Sequence, residues 1–387
     1  VQESIMECWQ SLVDDDFVQQ IRGFAAARIT PLADDIDRRD YYPVDIVKAL
    51  ATEGYNSLTL DPAYGGGGRS YTLAAALFEE VAYASPAVAI SLITILQAQK
   101  ILDLFANQRL KELYLPRFRQ GLLSSYALTE ANHGSDIRSL DTKAERHGGE
   151  WLIKGEKSFI TSGSAAELFI ILAETPIGVS VFAVPREAAG VSTYEGDNSH
   201  TFGLRNGPHV NLVLDDLRLP AEHLVGEEGA GVRQAVTTLD YSRTMAAAIS
   251  TGIARAAFDG ALEYAAKRQA FDRTVLDFQG IQWYFAEALS EIDAARLAVF
   301  DAARALDEER DIARYSSQAK LLASRVASSA ASLAVQVCGA HGVTEQAPFG
   351  RYLRDAKAYE IAGGSSEILK NTIAKHLVRL VRRANLP

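Results

Sequence analysis

The spacing of apolar positions changes twice along the chain. Over residues 1–122 it is helical. In "DFVQQIRGFAAARITPLADDIDRRD", Phe17, Ile21, Phe24 and Arg28 recur at three- and four-residue intervals, which predicts a helix face. "TLAAALFEEVAYASPAVAISLITILQAQKIL" is apolar almost throughout, the pattern of helices enclosed by other helices. Over residues 123–232 the runs shorten and become β-branched or aromatic. "WLIKGEKSFITSG", "LFIILAET", "VSVFAVPRE" and "HVNLVLDDLRLP" predict the strands of a small β domain, with "HGGE" as a hairpin turn before Trp151. From 233 to 387 the helical period returns. It puts Ile281, Tyr284, Phe285, Ala288, Ile292, Ala295 and Val299 on one face, and "YSSQAKLLASRVASSAASLAVQVCGAHG" runs to glycines that stop it. The expected class is α+β, with a β domain inserted between a helical region and a helical bundle. It is not a doubly wound βαβ pattern, and no strand–GxGxxG–helix occurs.

Composition narrows this further. A chain of 387 residues, 48% apolar, is too long for one ordinary core and predicts two or three packed domains. Lys and Arg number 39 against 49 Asp and Glu, a net charge of −10 that argues against a nucleic-acid partner. The two cysteines, Cys8 and Cys338, suggest neither a disulfide framework nor a thiolate metal site. The seven histidines show no HExxH spacing, so no metal site is expected. No run of about 18 apolar residues is evident, so no membrane-spanning helix is expected. The numbering opens on Val1, and no signal peptide is read in the N-terminal residues; a soluble, reducing-compartment, cytoplasmic protein is expected. The four glycines of "DPAYGGGGRS" lack the Lys-Ser/Thr of a P-loop and are read as a flexible turn near a ligand.

Several stretches carry candidate chemistry. "YALTE" is extended, so its amides and the Thr129 hydroxyl can point at the edge of a flat heteroaromatic ring. "HGSD" is a tight turn whose Gly134 and Ser135 can donate to a pyrophosphate or a substrate. Arg268 and Phe271 stand where a long helix gives way to a loop; taken alone, Arg268 is a cation at a helix C-terminus. "DAKAYEIAGGSSEIL" reads as a helix end, a glycine turn and a helix start.

Taken in order, "YALTEANHGSDIRSLDTKA", "WLIKGEKSFITSG", "LDYSR", "RQAFDRTVLDFQGIQ", "QVCGAHGV" and "RDAKAYEIAGGSSEI" are similar to signatures of the acyl-CoA dehydrogenase superfamily of FAD flavoenzymes, over nearly the whole chain. The resemblance implies an N-terminal helical domain, a middle β-barrel-like domain and a C-terminal four-helix bundle. It implies FAD, with Tyr126, Leu128 and Thr129 meeting the isoalloxazine and Phe159, Ile160 and Thr161 lying across one face of it. It implies that Arg268, Phe271, Gln279, Gln336 and Gly339 serve the FAD of a neighbouring subunit, hence a homotetramer or at least a dimer. Ser365 and Glu367 are cofactor-site residues of the last motif by the same resemblance. The implied substrate is an acyl thioester on CoA or on an acyl carrier protein, with the electron acceptor left open. Where the family has "Q-GG-GY", this chain has His341, read as a packing residue.

In the family a glutamate takes the α-proton of the thioester while the β-hydrogen leaves as hydride to the flavin. That carboxylate must come within about 3 Å of the proton, and burial raises its pKa. Most members carry it in a loop resembling "YEGTSEI"; aligned on "SEI", the position here is Gly363. A minority carry it in a helix resembling "LDLERL"; aligned on Arg243, the position here is Ser242. Both are vacant. Glu360, Glu367 and Asp240 match residues that base-containing relatives also have, and are read as structural. The expected consequence is a shifted chemistry. A β-keto thioester, typical of polyketide pathways, has an acidic α-carbon that enolises with backbone hydrogen bonds, with water, Tyr241 or Ser242 as acceptor and Arg243 alongside. Hydride loss then gives a desaturated or ring-closed product. Three alternatives stay open: an ordinary α,β-dehydrogenase with a relocated base, a flavin monooxygenase or oxidase of the same fold, and a non-catalytic flavoprotein.

Overall fold

The computed structural model describes residues 14–384; Cys8 lies outside them. Helix α1 (Asp15–Arg28) starts at Asp14, whose carboxylate accepts a hydrogen bond from the Phe17 amide at 3.3 Å. Its buried stripe is Phe17, Ile21 and Ala25, while Phe24 is half-buried and Arg28 exposed. The face expected from the sequence is corrected accordingly: steps of four carry the stripe through Ala25 to Ile29. Short helices α2 (Ala33–Arg39) and α3 (Val44–Thr52) lead to the four-glycine turn. There the amides of Gly65, Gly66, Gly67 and Gly68 donate to the carbonyls of Pro62, Asp61, Ser57 and Leu60. The turn satisfies itself and offers no free donors to a ligand.

Helices α4 (Tyr71–Ala84), α5 (Pro86–Phe105) and α6 (Gln108–Arg119) complete the first region. Ser70 and Ser85 cap α4 and α5, and Pro86 occupies the first turn of α5, where a missing N–H costs nothing. By length and composition α5 and, later in the chain, α9 (Ile312–Cys338) are apolar enough to cross a membrane, which corrects the expectation that no such helix exists. The α5 stretch is 78% buried within the fold, as a core helix is.

The middle region is one sheet. Strands β1 (Ser124–Ala127), β2 (Lys143–His147), β3 (Glu150–Ile160), β4 (Leu168–Thr175), β5 (Gly178–Pro185), β6 (Val191–Tyr194), β7 (Val210–Pro220) and β8 (Leu224–Val225) follow one another. The order is β6-β7-β3-β2-β4-β5-β8, with β1 added parallel to β4. The hairpin expected at "HGGE" is present: His147 pairs with Glu150, and Gly148 takes φ +65°, which glycine adopts without strain. β4, the run "LFIILAET", is buried almost throughout, which explains its lack of alternation.

Helix α7 (Gly231–Lys267) begins the last region and runs back through the core. Gly252 allows it to pack on α4, since a Cβ there would sit 2.4 Å from the Glu79 carbonyl oxygen. After the hairpin β9 (Gln269–Ala270)/β10 (Arg273–Thr274) come α8 (Gln279–Asp307), α9, α10 (Phe349–Tyr359) and α11 (Ser366–Ala384). In α8, Phe285, Ala288, Ile292, Ala295 and Val299 are buried as expected, Ile281 is half-buried, and Tyr284 turns out to solvent. Gly339, with φ +56°, ends α9. The α+β class, helical then β then helical, is the observed one. Among the described residues Cys338 is a buried free thiol.

Candidate active site

The loop 360–365 between α10 and α11 is built around two glycines in positive-φ conformations, Gly363 at +71° and Gly364 at +110°. A Cβ on Gly363 would meet no atom within 4 Å, whereas one on Gly364 would meet the Arg243 guanidinium at 3.3 Å. Two buried cations hold the loop from below. Arg243 of α7 donates from Nε to the Gly363 carbonyl at 3.1 Å and from Nη1 to Asp240 Oδ1 at 2.9 Å. Ser316 of α9 donates to the same Asp240 oxygen at 3.3 Å. Lys320, also of α9, donates from Nζ to the Gly364 carbonyl at 2.8 Å. Burial pushes the Lys320 ammonium down to about 7, with Arg243 adding to the fall and Glu360 opposing it.

The carboxylates around the loop are already engaged. Burial raises Asp240, against the pull of Arg243. Glu360 accepts from Ser328 Oγ at 2.5 Å and from Lys357 Nζ at 2.8 Å. Burial tends to raise it, but these bonds hold it below the usual carboxylate range. Glu367 is exposed in the first turn of α11, lowered by its own amide and by Ser365. Asp240 and Glu360 are held in hydrogen-bonded pairs and Glu367 faces solvent, so none of the three has the buried, unpaired carboxylate of a placed base.

The Ser242 hydroxyl is likewise engaged. Ser242 is buried; its hydroxyl accepts from Gln97 Nε2 at 3.1 Å and donates to the Leu239 carbonyl at 3.1 Å. Tyr241 packs against Tyr71 with ring centroids 5.1 Å apart, and the Lys100 ammonium stands 4.8 Å from its ring centroid. Burial raises the Tyr241 phenol, so it stays neutral. Ser242→Ala removes one hydrogen-bonded hydroxyl, a stability cost of about 1 kcal/mol, and is expected to change turnover by less than about tenfold. Steady-state kinetics check this; a loss of several orders of magnitude would make Ser242 the proton acceptor.

On the β side, Tyr126 and Leu128 pack against the cluster that joins α5 and α6 to the sheet, and Thr129 is half-buried beside them. The Tyr126 hydroxyl is buried without a hydrogen-bond partner. Gly134 and Ser135 lie exposed in their turn. Phe159, at φ +57°, is 47% exposed at the end of β3, and Thr161 is half-buried. Ile160 pairs with Val210 and is buried in the sheet core, while Phe159 and Thr161 on either side of it are more exposed. An exposed ring, hydroxyl and amide donors and an unsatisfied buried phenol fit a flat, polar-edged dinucleotide.

The residues assigned to a neighbouring subunit's cofactor, Arg268, Phe271, Gln279, Gln336 and Gly339, are all exposed. The segment after Arg268 is not an irregular loop but the β9–β10 hairpin, with Phe271 and Asp272 left-handed at its tip. His341 stacks on Tyr264, centroids 5.1 Å apart, a packing role.

Two other features were not legible in the sequence. Glu130, His133 and Asp141 bring ligand atoms within 4.8 Å of one another. However, Glu130 already accepts from Lys157 Nζ at 2.6 Å and from two backbone amides, so a cation there would meet a buried ammonium. A cavity of about 200 Å³ lies between α1, α4, α7 and α8, lined in part by Arg22, Glu80, Arg255 and Asp293. It is remote from the glycine loop, and its arginines are ion-paired: Arg22 to Glu80 at 2.9 Å, and Arg255 to Glu79 at 2.5 Å.

Comparison with known proteins agrees with this architecture. Residues 14–121 match the N-terminal domain of acyl-CoA dehydrogenase, 125–217 the middle domain and 229–378 the C-terminal domain. The probable acyl-CoA dehydrogenase fadE25 of Mycobacterium leprae is 33% identical over 368 residues, covering 93% of this chain and 94% of that protein. Butyryl-CoA dehydrogenase of Megasphaera elsdenii superposes with a TM-score of 0.91 at 30% identity, covering 94% of this chain and 97% of that one. The structure of PigA with FAD and proline superposes with a TM-score of 0.89 at 25% identity, over 94% and 97% of the two chains. The chain belongs to the acyl-CoA dehydrogenase family of flavin-dependent oxidoreductases acting on CH–CH groups.

Proposed function

We propose that the protein is an FAD-dependent oxidoreductase acting on an acyl thioester whose α-carbon is already acidic, such as a β-keto chain of polyketide type on CoA or a carrier protein. The observation that carries this reading is Gly363: the position of the family's proton-removing glutamate holds a glycine with open space where a side chain would stand. The neighbouring carboxylates of Asp240 and Glu360 are bound elsewhere, which disfavours a relocated base.

FAD, when bound, supplies the hydride acceptor. Tyr126, Leu128 and Thr129 would meet its ring edge, Phe159 and Thr161 its face, and Gly134 and Ser135 its diphosphate. The chain's own contribution to the proton step is electrostatic. Arg243 fixes the Gly363 peptide, the neutral Tyr241 is a donor rather than a base, and the space at Gly363 admits water or a bulkier acyl chain. An acidic α-carbon lets water take the proton; a simple acyl chain, lacking a placed base, should react about 10²–10⁴-fold more slowly. Net removal of two hydrogens gives a desaturated or ring-closed product. The test is anaerobic incubation of FAD-loaded protein with a β-ketoacyl thioester. Flavin bleaching with a product two hydrogens lighter is expected; failure of every thioester to bleach the flavin would defeat the reading.

The same reading makes the protein a homo-oligomer, as a homotetramer or at least a dimer. Arg268, Gln279 and Gln336 are exposed beside large uncovered apolar groups, Phe271 at 89%, Val343 at 74% and Trp283 at 60% exposure. Arg268→Ala is expected to lower FAD retention through gel filtration without lowering the thermal midpoint of the apoprotein. A monomer fully loaded with flavin would contradict the shared site.

A further inference from the structure

Lys320 is a buried cation beside the glycine loop that the chemistry described so far does not use. Its side chain is fully buried on α9, and its Nζ reaches the Gly364 carbonyl at 2.8 Å. Arg243, on the opposing helix α7, reaches the preceding carbonyl, Gly363, at 3.1 Å. Two cations from two helices thus hold consecutive peptide groups of the one loop that carries the vacated base position. A trans peptide is planar, with its N–H opposed to its C=O. With both carbonyls drawn down toward the bundle, the N–H groups of Gly364 and Ser365 point away from it. Neither amide donates a hydrogen bond among the described residues. A cation on the carbonyl polarises the peptide and strengthens the donor at its other end.

We propose that Lys320 is a positioning residue for the reaction: with Arg243 it clamps the Gly363–Gly364 segment so that the Gly364 and Ser365 amides are presented as a donor pair to an anionic oxygen. This rests on the thioester reading above. The anionic oxygen is either the developing oxyanion of the thioester or a phosphate of the cofactor. A loop without a catalytic side chain then still contributes to the chemistry through its backbone.

The charged groups facing Lys320 are Arg243 from α7 and Glu360 from the end of α10; Glu360 is in turn held by Ser328 and Lys357. Arg243 disfavours the ammonium and Glu360 favours it, with burial the largest influence, and the outcome is a proton lost at about 7. The fully charged clamp therefore exists below that pH. Above it the neutral amine remains a donor but a weaker one, since a charge-assisted bond is roughly twice as strong.

The experiment compares wild type, Lys320→Arg and Lys320→Met as FAD-loaded proteins. Flavin reduction by a β-ketoacyl thioester is followed from pH 5.5 to 9, with calorimetric binding of a saturated acyl-CoA and cofactor retention measured alongside. Wild type is expected to lose rate or thioester affinity as pH rises through about 7, by roughly three- to tenfold. Lys320→Arg, charged throughout, is expected to abolish that limb, and Lys320→Met to show the weakened value at every pH. Amide exchange of the peptide spanning residues 360–368 is expected to be at least about tenfold faster in Lys320→Met than in wild type at pH 6, a readout independent of turnover. A shift in thioester affinity alone identifies the substrate oxygen, and a shift in cofactor retention alone identifies a phosphate. If neither moves in any variant, or if wild type and Lys320→Arg share one pH profile, the proposal is overturned; the Lys320→Arg comparison serves even if Lys320→Met does not fold. Absence of thioester binding in wild type at every pH, with loop exchange still faster in Lys320→Met, would instead defeat the thioester reading and leave the clamp standing.

Discussion

Gly363→Glu is expected to raise the rate at which saturated acyl-CoA bleaches the flavin by about 10–10³-fold, part of the 10²–10⁴-fold that a placed general base commonly contributes. The space for the side chain exists, since nothing lies within 4 Å of a Cβ at this position. The obstacle is the backbone. At φ +71° a non-glycine residue pays about 1–2 kcal/mol, so recovery should be incomplete and the thermal midpoint slightly lower. The carboxylate would stand above the Gly363 peptide held by Arg243, whose positive charge favours its ionised form and limits its strength as a base. Activity on the β-keto substrate should fall at the same time, because the new side chain fills the space left for the acyl chain. Rates for both substrates on both proteins check the pair of changes. A variant that folds, retains FAD and gains nothing on saturated acyl-CoA would count against Gly363 as the vacated position.

Arg243→Leu is expected to be the most damaging single change at the site. It removes one partner of a buried ion pair and leaves Asp240 uncompensated, a class of change that costs about 3–5 kcal/mol. It also frees the Gly363 carbonyl, so the loop loses one of its two fastenings. Adding Asp240→Asn to Arg243→Leu should restore much of the stability, since the stranded carboxylate is gone, without restoring turnover. The signs separate the two roles: stability follows the Asp240 pair, and turnover follows the Gly363 contact. Thermal unfolding and flavin reduction on the single and double variants check this; recovery of both together would mean that Arg243 matters only for folding.

Much of this arrangement was legible in the sequence, for identifiable reasons. The strands were legible because β3 and β7 alternate and β4 is an unbroken apolar run between turn residues. The meeting of Arg243 with Gly363 was anticipated only in that Gly363 was read as one base position and Arg243 as the neighbour of the other; the contact itself joins residues 120 apart. Periodicity misplaced Arg28 and Tyr284 because an interval of three or four residues also fits positions at the rim of a helix face, where the side chain escapes to solvent. The burial of Ile160 between two more exposed neighbours was not legible, because the register between β3 and β7 shifts between Lys157 and Ile160, a distortion that changes which side chains turn outward. Lys320 was not singled out at all. In "QAKLLAS" a lone lysine on a helix reads as a solvated residue, and its partner carbonyl lies 44 residues away. The Gln97–Ser242 contact spans 145 residues and leaves no local trace. Contacts of this kind belong to packing between elements, which spacing along one element does not encode.

The most direct measurement of the central claim, that this active site works without a placed carboxylate base, is anaerobic stopped-flow reduction of the wild-type flavin by a saturated acyl-CoA and by a β-ketoacyl thioester of equal chain length. If Gly363 and Ser242 stand at the two base positions, as proposed, the saturated substrate is expected to reduce the flavin at least about 10²-fold more slowly than the β-keto substrate at saturation. Equally rapid reduction by the saturated acyl-CoA would contradict the claim and require that another residue supplies the base.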